Sequence, residues 1–259
     1  MVLVSHRYKF IYLKNYKTAS SSVESFFQQF CIDPAEQSDY TFEDKTDESI
    51  TQYGIVSSRQ LYIDNDGNRI RESEEITKHN IKIREYIRYK LQLNNETNII
   101  KPDTIWICHK QALDIKKDIG DEIFNQYIKF CVIRNPYDSI VSAYHWIIYD
   151  KMPDISFKNF CINYFTQFSN KYIANDMKRI FLDDIPVCNY YIRYENLKED
   201  IEMVLQKLDI TEYDIEKLPT HKSKIRPENT PYQSYYDDET RELVYTHYKK
   251  MIDYFGYTF

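Results

Sequence analysis

The sequence predicts an α/β fold with a mainly parallel central sheet, formed by one domain over 1–259. Three observations carry that expectation. Short apolar runs alternate with segments of helical period four times along the chain, the grammar of βα units. Polar turns separate each run from the helix after it. The chain is 42% hydrophobic and 29% charged, a globular composition, and its 259 residues suffice to bury a sizeable core.

The first unit is the run Phe10-Ile11-Tyr12-Leu13, a turn over 15–20, and then Val23, Phe26, Phe27 and Phe30 at i, i+3, i+4 and i+7 of a helix face. The apolar stretch over 1–13 is interrupted by His6, Arg7 and Lys9, so it reads as a strand and not as a signal peptide. The second unit is 104–108 followed by Ala112, Ile115 and Ile119, with Gly120 placed to end the helix. The third is 130–133, then Asn135-Pro136, then Ile140, Val141, Tyr144, Ile147 and Ile148. The fourth is 190–193 followed by Leu197, Ile201, Val204, Leu205 and Leu208. A last helix is expected over 237–255, with Val244, Tyr248, Met251 and Phe255 inward and Gly256 at its end.

Two regions break the rhythm. Residues 33–101 are polar; they contain a β-hairpin pattern around Asn65-Asp66-Gly67-Asn68 and an amphipathic helix pattern at Ile76, Ile83, Ile87 and Leu91. Residues 155–185 are aromatic-rich and read as helical. Insertions beyond the carboxyl ends of strands often shape a substrate site. Asp64, Asp66, Asn68 and Glu75 mimic an EF-hand loop, but Arg69 stands where that loop needs glycine.

A net charge of −6 argues against nucleic acid or an anionic membrane as the main partner. The five cysteines, Cys31, Cys108, Cys131, Cys161 and Cys188, form no CxxC pair and read as buried free thiols. No apolar run approaches the roughly 20 residues that span a bilayer. These features lead us to expect a cytoplasmic chain. The histidines and cysteines show no ligand spacing, so no metal is expected.

Two strand-to-helix turns carry chemistry. The first, Lys17-Thr18-Ala19-Ser20-Ser21-Ser22, adds an ammonium and four hydroxyls to the unpaired amides of a helix start, which makes an anion cradle. Ordinary capping is the competing reading, because Ser21 and Glu24 match a capping box. No glycine occurs before Gly54, so the turn is not a Walker A loop, and an ATP or GTP machine is disfavoured. In the second turn Asn135 suits an N-cap and Pro136 the first helical position. Arg134 then stands at the strand exit, and with Ser142 it would meet a second anion. A surface arginine and a solvated serine are the alternative.

Lys17-Thr-Ala-Ser-Ser-Ser together with Val-Ile-Arg134-Asn-Pro-Tyr-Asp-Ser-Ile-Val-Ser142-Ala-Tyr resembles the sulfotransferases that use 3′-phosphoadenosine 5′-phosphosulfate (PAPS), above all their carbohydrate branch. Cys108-His109-Lys110-Gln111-Ala112, Ile192-Arg193-Tyr194-Glu195-Asn196-Leu197 and the tail from His221 through Arg226-Pro227 to Phe259 resemble later blocks of that family, in order. Where the family often has Pro-Lys-Thr-Gly, this chain has Tyr16 and Ala19 around Lys17-Thr18. Ala19 is compatible with that role if its backbone stays helical, whereas Tyr16 removes a stiff proline.

The resemblance implies a P-loop-like three-layer fold and transfer of a sulfuryl group from PAPS to a hydroxyl, leaving 3′-phosphoadenosine 5′-phosphate (PAP). It implies that Lys17, Thr18, Ala19, Ser20, Ser21 and Ser22 hold the 5′-phosphosulfate, with Lys17 beside the departing oxygen. Arg134 and Ser142 would hold the 3′-phosphate, with Arg226 adding a contact. His109 is the expected general base, since an imidazole titrates near pH ~6.5, and His145 is the reserve. The acceptor is expected to be a hydroxylated molecule, a sugar or glycan above all, bound by the two divergent regions. A nucleotide-dependent kinase of a small molecule and a non-catalytic nucleotide-binding module are the competing functions.

Overall fold

Apolar runs are satisfied as strands when both faces find cover, and three mainly apolar runs build the parallel heart of the sheet. A computed structural model describes residues 2–37, 49–56, 62–63, 69–70, 111–150, 155–165, 173–221, 225–226 and 230–259. In chain order the elements are β1 (Leu3–Ser5), β2 (Phe10–Leu13), α1 (Ser20–Gln28), β3 (Ser49–Ile50), β4 (Gly54–Val56), β5 (Tyr62–Ile63) and β6 (Arg69–Ile70). Then come α2 (Ala112–Ile119), α3 (Asp121–Gln126), β7 (Ile128–Ile133), α4 (Pro136–Asp150), α5 (Phe157–Asn163) and α6 (Ile173–Ile180). The chain continues through β8 (Phe181–Leu182), β9 (Ile185–Pro186), β10 (Tyr190–Arg193), α7 (Leu197–Lys207) and α8 (Asp238–Phe255).

The main sheet has the order β10-β7-β2-β1-β4-β3. Strands β2, β7 and β10 run parallel, and each leads into a helix at its carboxyl end. Beyond β2 the sheet continues antiparallel through β1, β4 and β3. The single strand expected over 1–13 is therefore a hairpin. Its polar break falls at the turn, where Lys9 adopts φ 53° and the amide of Ile128 donates to the Lys9 carbonyl at 2.9 Å. Gly54 is required where β4 meets β1, because a Cβ there would lie 2.3 Å from the Val4 carbonyl oxygen.

Alternation along the strands sends side chains to two separate cores. Ile11, Leu13, Cys131 and Ile133 join one cluster with Val141 of α4, Phe160 of α5 and Val244 of α8. Phe10, Tyr12, Phe130, Val132 and Ile192 join the other with Val23 and Phe27 of α1 and Val204 of α7. The sheet is thus covered on both faces, giving three layers. The second core is dense in aromatic rings, with Phe27 and Phe130 centroids 4.8 Å apart. Each fully buried Phe contributes about 1.5–3 kcal/mol.

The hairpin expected in the first divergent region is seen as β5–β6, with Tyr62 opposite Ile70 and Ile63 opposite Arg69. Its turn at 64–68, the helix expected at Ile76–Leu91, the strand at 104–108 and Cys108 lie outside the described residues. The second divergent region is helical through α5 and α6 but ends as the hairpin β8–β9. Asp183 and Asp184 both take positive φ, 49° and 65°, the conformation a tight two-residue hairpin turn needs. Cys31, Cys131, Cys161 and Cys188 are buried free thiols. Helix α8 begins with a reciprocal capping box between Asp237 and Thr240 and ends at Gly256, φ 68°. Among the described residues no helix is long and apolar enough to cross a membrane.

Candidate functional site

The first turn is held by its own short side chains. The Ser20 hydroxyl donates to the Asn15 carbonyl at 2.6 Å, Tyr12 donates to the Ser20 carbonyl at 2.9 Å, and Asn15 Nδ2 donates to the Val132 carbonyl of β7 at 2.9 Å. These bonds bend the chain so tightly that Lys17 and Ala19, neither of them glycine, adopt left-handed φ of 56° and 57°. Ala19 is the N-cap of α1, and no side chain caps that helix. The capping-box reading of Ser21 and Glu24 is therefore corrected. Ser21 lies inside the first turn, and Glu24 Oε2 instead accepts from Lys14 Nζ at 2.8 Å. Burial pushes the Glu24 carboxyl up, but the Lys14 ammonium outweighs this and holds it below the usual range. Ser20 is a lock of the loop, since its hydroxyl hydrogen is already used.

The condition set for Ala19, a helical backbone, is not met: the position is left-handed, a conformation that favours glycine. A left-handed non-glycine residue costs about 1–2 kcal/mol, partly offset by the smaller unfolded-state entropy of Ala. Ala19→Gly is expected to raise stability by about 0.5–1 kcal/mol in urea unfolding, with an unchanged m-value. Tyr16, where a proline was missed, is fixed by another device: its ring carries the Arg179 guanidinium at 4.8 Å. Arg179 belongs to α6 and is 1% exposed. The second divergent region thus supports the first turn from behind.

The second turn begins as expected, with Asn135 Oδ1 accepting from the Tyr137 amide at 3.0 Å and Pro136 opening α4. Asn135 Nδ2 donates to the Thr258 carbonyl at 2.8 Å, so this side chain fastens the C-terminal tail. Arg134 Nη1 donates to the Lys17 carbonyl at 3.1 Å, which ties the two turns together. Its Nε and Nη2 reach Asp138 Oδ2 at 2.7 and 2.6 Å, and its guanidinium lies 3.9 Å from the centre of the Tyr194 ring. Arg226, 88 residues away along the chain, reaches Asp138 Oδ1 at 2.5 Å.

One cavity of about 1160 Å³ opens where these elements meet. It is walled by the loops after β2, β7 and β10, that is, beyond the carboxyl ends of the parallel strands. Lys17, Thr18, Ala19, Ser20, Ser21, Ser22, Arg134, Ser142 and Arg226 all line it. Its described lining carries lysine, arginine and histidine but no Asp or Glu. The size exceeds the ~300–1,000 Å³ of ordinary small-molecule pockets. Thr18 is almost fully buried, and its Oγ1 has no hydrogen-bond partner among the described residues.

Other lining residues were not foreseen. Trp146 lies one helical turn after Ser142, and the Lys17 ammonium stands 4.6 Å from the centre of its ring. His221 lines the cavity, with its amide donating to Ser22 Oγ at 3.1 Å and its Nε2 3.1 Å from Ser25 Oγ. Asp138 could have been found as an acid at i+4 from Arg134, and Trp146 from its spacing to Ser142; nothing local marks His221. His145, the reserve base, is buried and bonded through Nε2 to the Tyr235 hydroxyl at 2.8 Å, and it does not line the cavity. Burial, and then the Arg226 guanidinium, hold its imidazole below the ordinary value. His109 lies outside the described residues.

The fold and this cavity define a class: a three-layer α/β protein with a cationic, aromatic-walled cavity at the carboxyl ends of its parallel strands. No family model matches the chain. An uncharacterized protein of Archaeoglobus fulgidus is 32% identical to it over 100 residues, 38% of this chain and 81% of that protein. The chain belongs to one family with that archaeal protein. Retinol dehydratase, solved in complex with androsterone and the inactive cofactor PAP, has a TM-score of 0.42 and 12% identity, covering 95% of this chain and 81% of that one.

Proposed function

We propose that the chain is a PAPS-dependent sulfotransferase acting on a hydroxylated acceptor, a sugar or glycan hydroxyl foremost. The observation that carries this reading is the hydrogen bond from Arg134 to the Lys17 carbonyl. Two turns that the resemblance assigns to the 5′-phosphosulfate and the 3′-phosphate of one nucleotide line a single cavity and touch.

The residues present suit such a ligand. The amides at the start of α1 have no side-chain cap, so they suit a 5′ anionic group. Thr18 Oγ1 is a buried hydroxyl that an anion in the turn would satisfy, and leaving it unpaired costs about 1–3 kcal/mol. Three of the five Arg134 N–H donors are used within the chain, which leaves two for a 3′-phosphate. PAPS supplies the sulfuryl group. Transfer breaks the bond from sulfur to the oxygen bridging to phosphate and forms one from sulfur to the acceptor oxygen. The Lys17 ammonium stabilises charge on the departing oxygen, and His109 takes the acceptor proton.

The testing experiment follows label from PAPS and from ATP into a panel of sugar and small hydroxylated acceptors. Label transferred from PAPS alone supports the reading; transfer from ATP alone contradicts it and favours a kinase. His109→Ala is expected to leave PAP affinity within about twofold and to lower turnover by about 10²–10⁴-fold. Near-normal turnover in that variant excludes His109 as the base.

A further inference from the structure

Arg134 and Arg226 come from segments far apart in sequence, yet both line the cavity. Two guanidinium groups side by side repel each other unless an anion stands between them. Here the anion is part of the chain. Asp138 gives one oxygen to each: Oδ2 accepts from Arg134 Nε and Nη2 at 2.7 and 2.6 Å, and Oδ1 accepts from Arg226 Nη1 at 2.5 Å. Asp138 sits in the first turn of α4, behind both arginines, and is not itself part of the cavity lining. Arg226 is further oriented by the Thr230 carbonyl, which accepts from its Nη2 at 2.6 Å. The three side chains together carry one net positive charge.

Resting on the proposed function, we propose that Asp138 is the positioning residue that determines selectivity for a nucleotide bearing a 3′-phosphate. It fixes both guanidinium planes with one carboxylate, so that their unused N–H groups converge on one phosphate monoester. Its charge also keeps the pair from acting as a general anion trap. Without it Arg226 loses its tie to α4, and the second half of the phosphate clamp is lost. Asp138 touches neither the nucleotide nor the reacting atoms in this account; it acts through the arginines.

The test is equilibrium binding of PAP and of 5′-AMP, which lacks the 3′-phosphate, to the native chain and to Asp138→Ala, Asp138→Asn and Arg134→Ala. Asp138→Ala is expected to reduce the preference for PAP over AMP by about tenfold or more, with AMP affinity within about twofold of native. Asp138→Asn keeps the shape and one acceptor oxygen, so an intermediate loss is expected, and it serves if the alanine variant does not fold. Equal weakening of both nucleotides would mean a merely structural role and overturns the inference. An unchanged preference in both Asp138 variants, with the preference lost in Arg134→Ala, also overturns it but leaves the proposed function standing. A native chain with no preference for PAP overturns both.

Discussion

Lys17→Ala is expected to lower sulfuryl transfer from PAPS by about 10³-fold or more, the scale seen when a preorganised cation or donor is removed from a developing anion. The contacts that shape the loop use the backbone of this residue: its carbonyl accepts from Arg134, and the neighbouring bend is closed by Ser20 and Asn15. The ammonium lies over the Trp146 ring, 4.6 Å from its centre. Truncation should therefore remove the charge and leave the turn in place. PAP contains no bridging oxygen to a sulfuryl group, so its affinity should fall far less than turnover. Steady-state kinetics beside PAP titration separates the two. A parallel loss of PAP affinity and turnover would mean that Lys17 binds the ground state and does not act on the leaving group.

Arg134→Ala is expected to raise the dissociation constant for PAP by about 100-fold or more, since truncating a nearly buried charge that pairs with phosphate costs ~2–5 kcal/mol. The variant also deprives the Lys17 carbonyl of a donor and removes one of the two arginines around Asp138. Turnover at saturating PAPS should consequently fall as well. Arg134→Lys should be intermediate, because an ammonium keeps the charge but not the planar fork. Calorimetric titration reads this directly. Unchanged PAP affinity in the alanine variant would remove the second turn from the account.

The fold was legible where local pattern and burial agree. Phe130–Ile133 is buried on both faces, so an unbroken apolar run betrayed it, and Val23, Phe26, Phe27 and Phe30 announced α1 by period alone. The hairpin at Lys9 was missed because three scattered charges in a short apolar stretch look like interruptions and give no turn signature. The β8–β9 hairpin was missed because Asp183 and Asp184 take positive φ without a glycine to mark the bend.

Of the residues that line the cavity, those of the two turns were readable, since hydroxyls after a lysine and Arg-Asn-Pro after a strand are local patterns, whereas Arg226 entered only through the resemblance. Their internal bonding was not. Ser21 and Glu24 satisfied a capping rule on spacing, yet the buried Lys14 ammonium claims that carboxylate, a tertiary demand that no local pattern encodes. The role of Asp138 depends on Arg226 arriving from 88 residues away, and the lining position of His221 depends on its segment docking on Ser22 and Ser25. Tyr16 looked like a defect until Arg179 of α6 was seen on its ring.

The most direct measurement is a crystal structure of the chain with PAP. The 5′-phosphate is expected in the turn from Lys17 to Ser22, its oxygens ~2.7–3.2 Å from amides and hydroxyls there. The 3′-phosphate is expected against Arg134 and Ser142 in the same cavity. A nucleotide bound in the reverse sense, with its 3′-phosphate in the first turn, or bound outside the cavity, would contradict this placement.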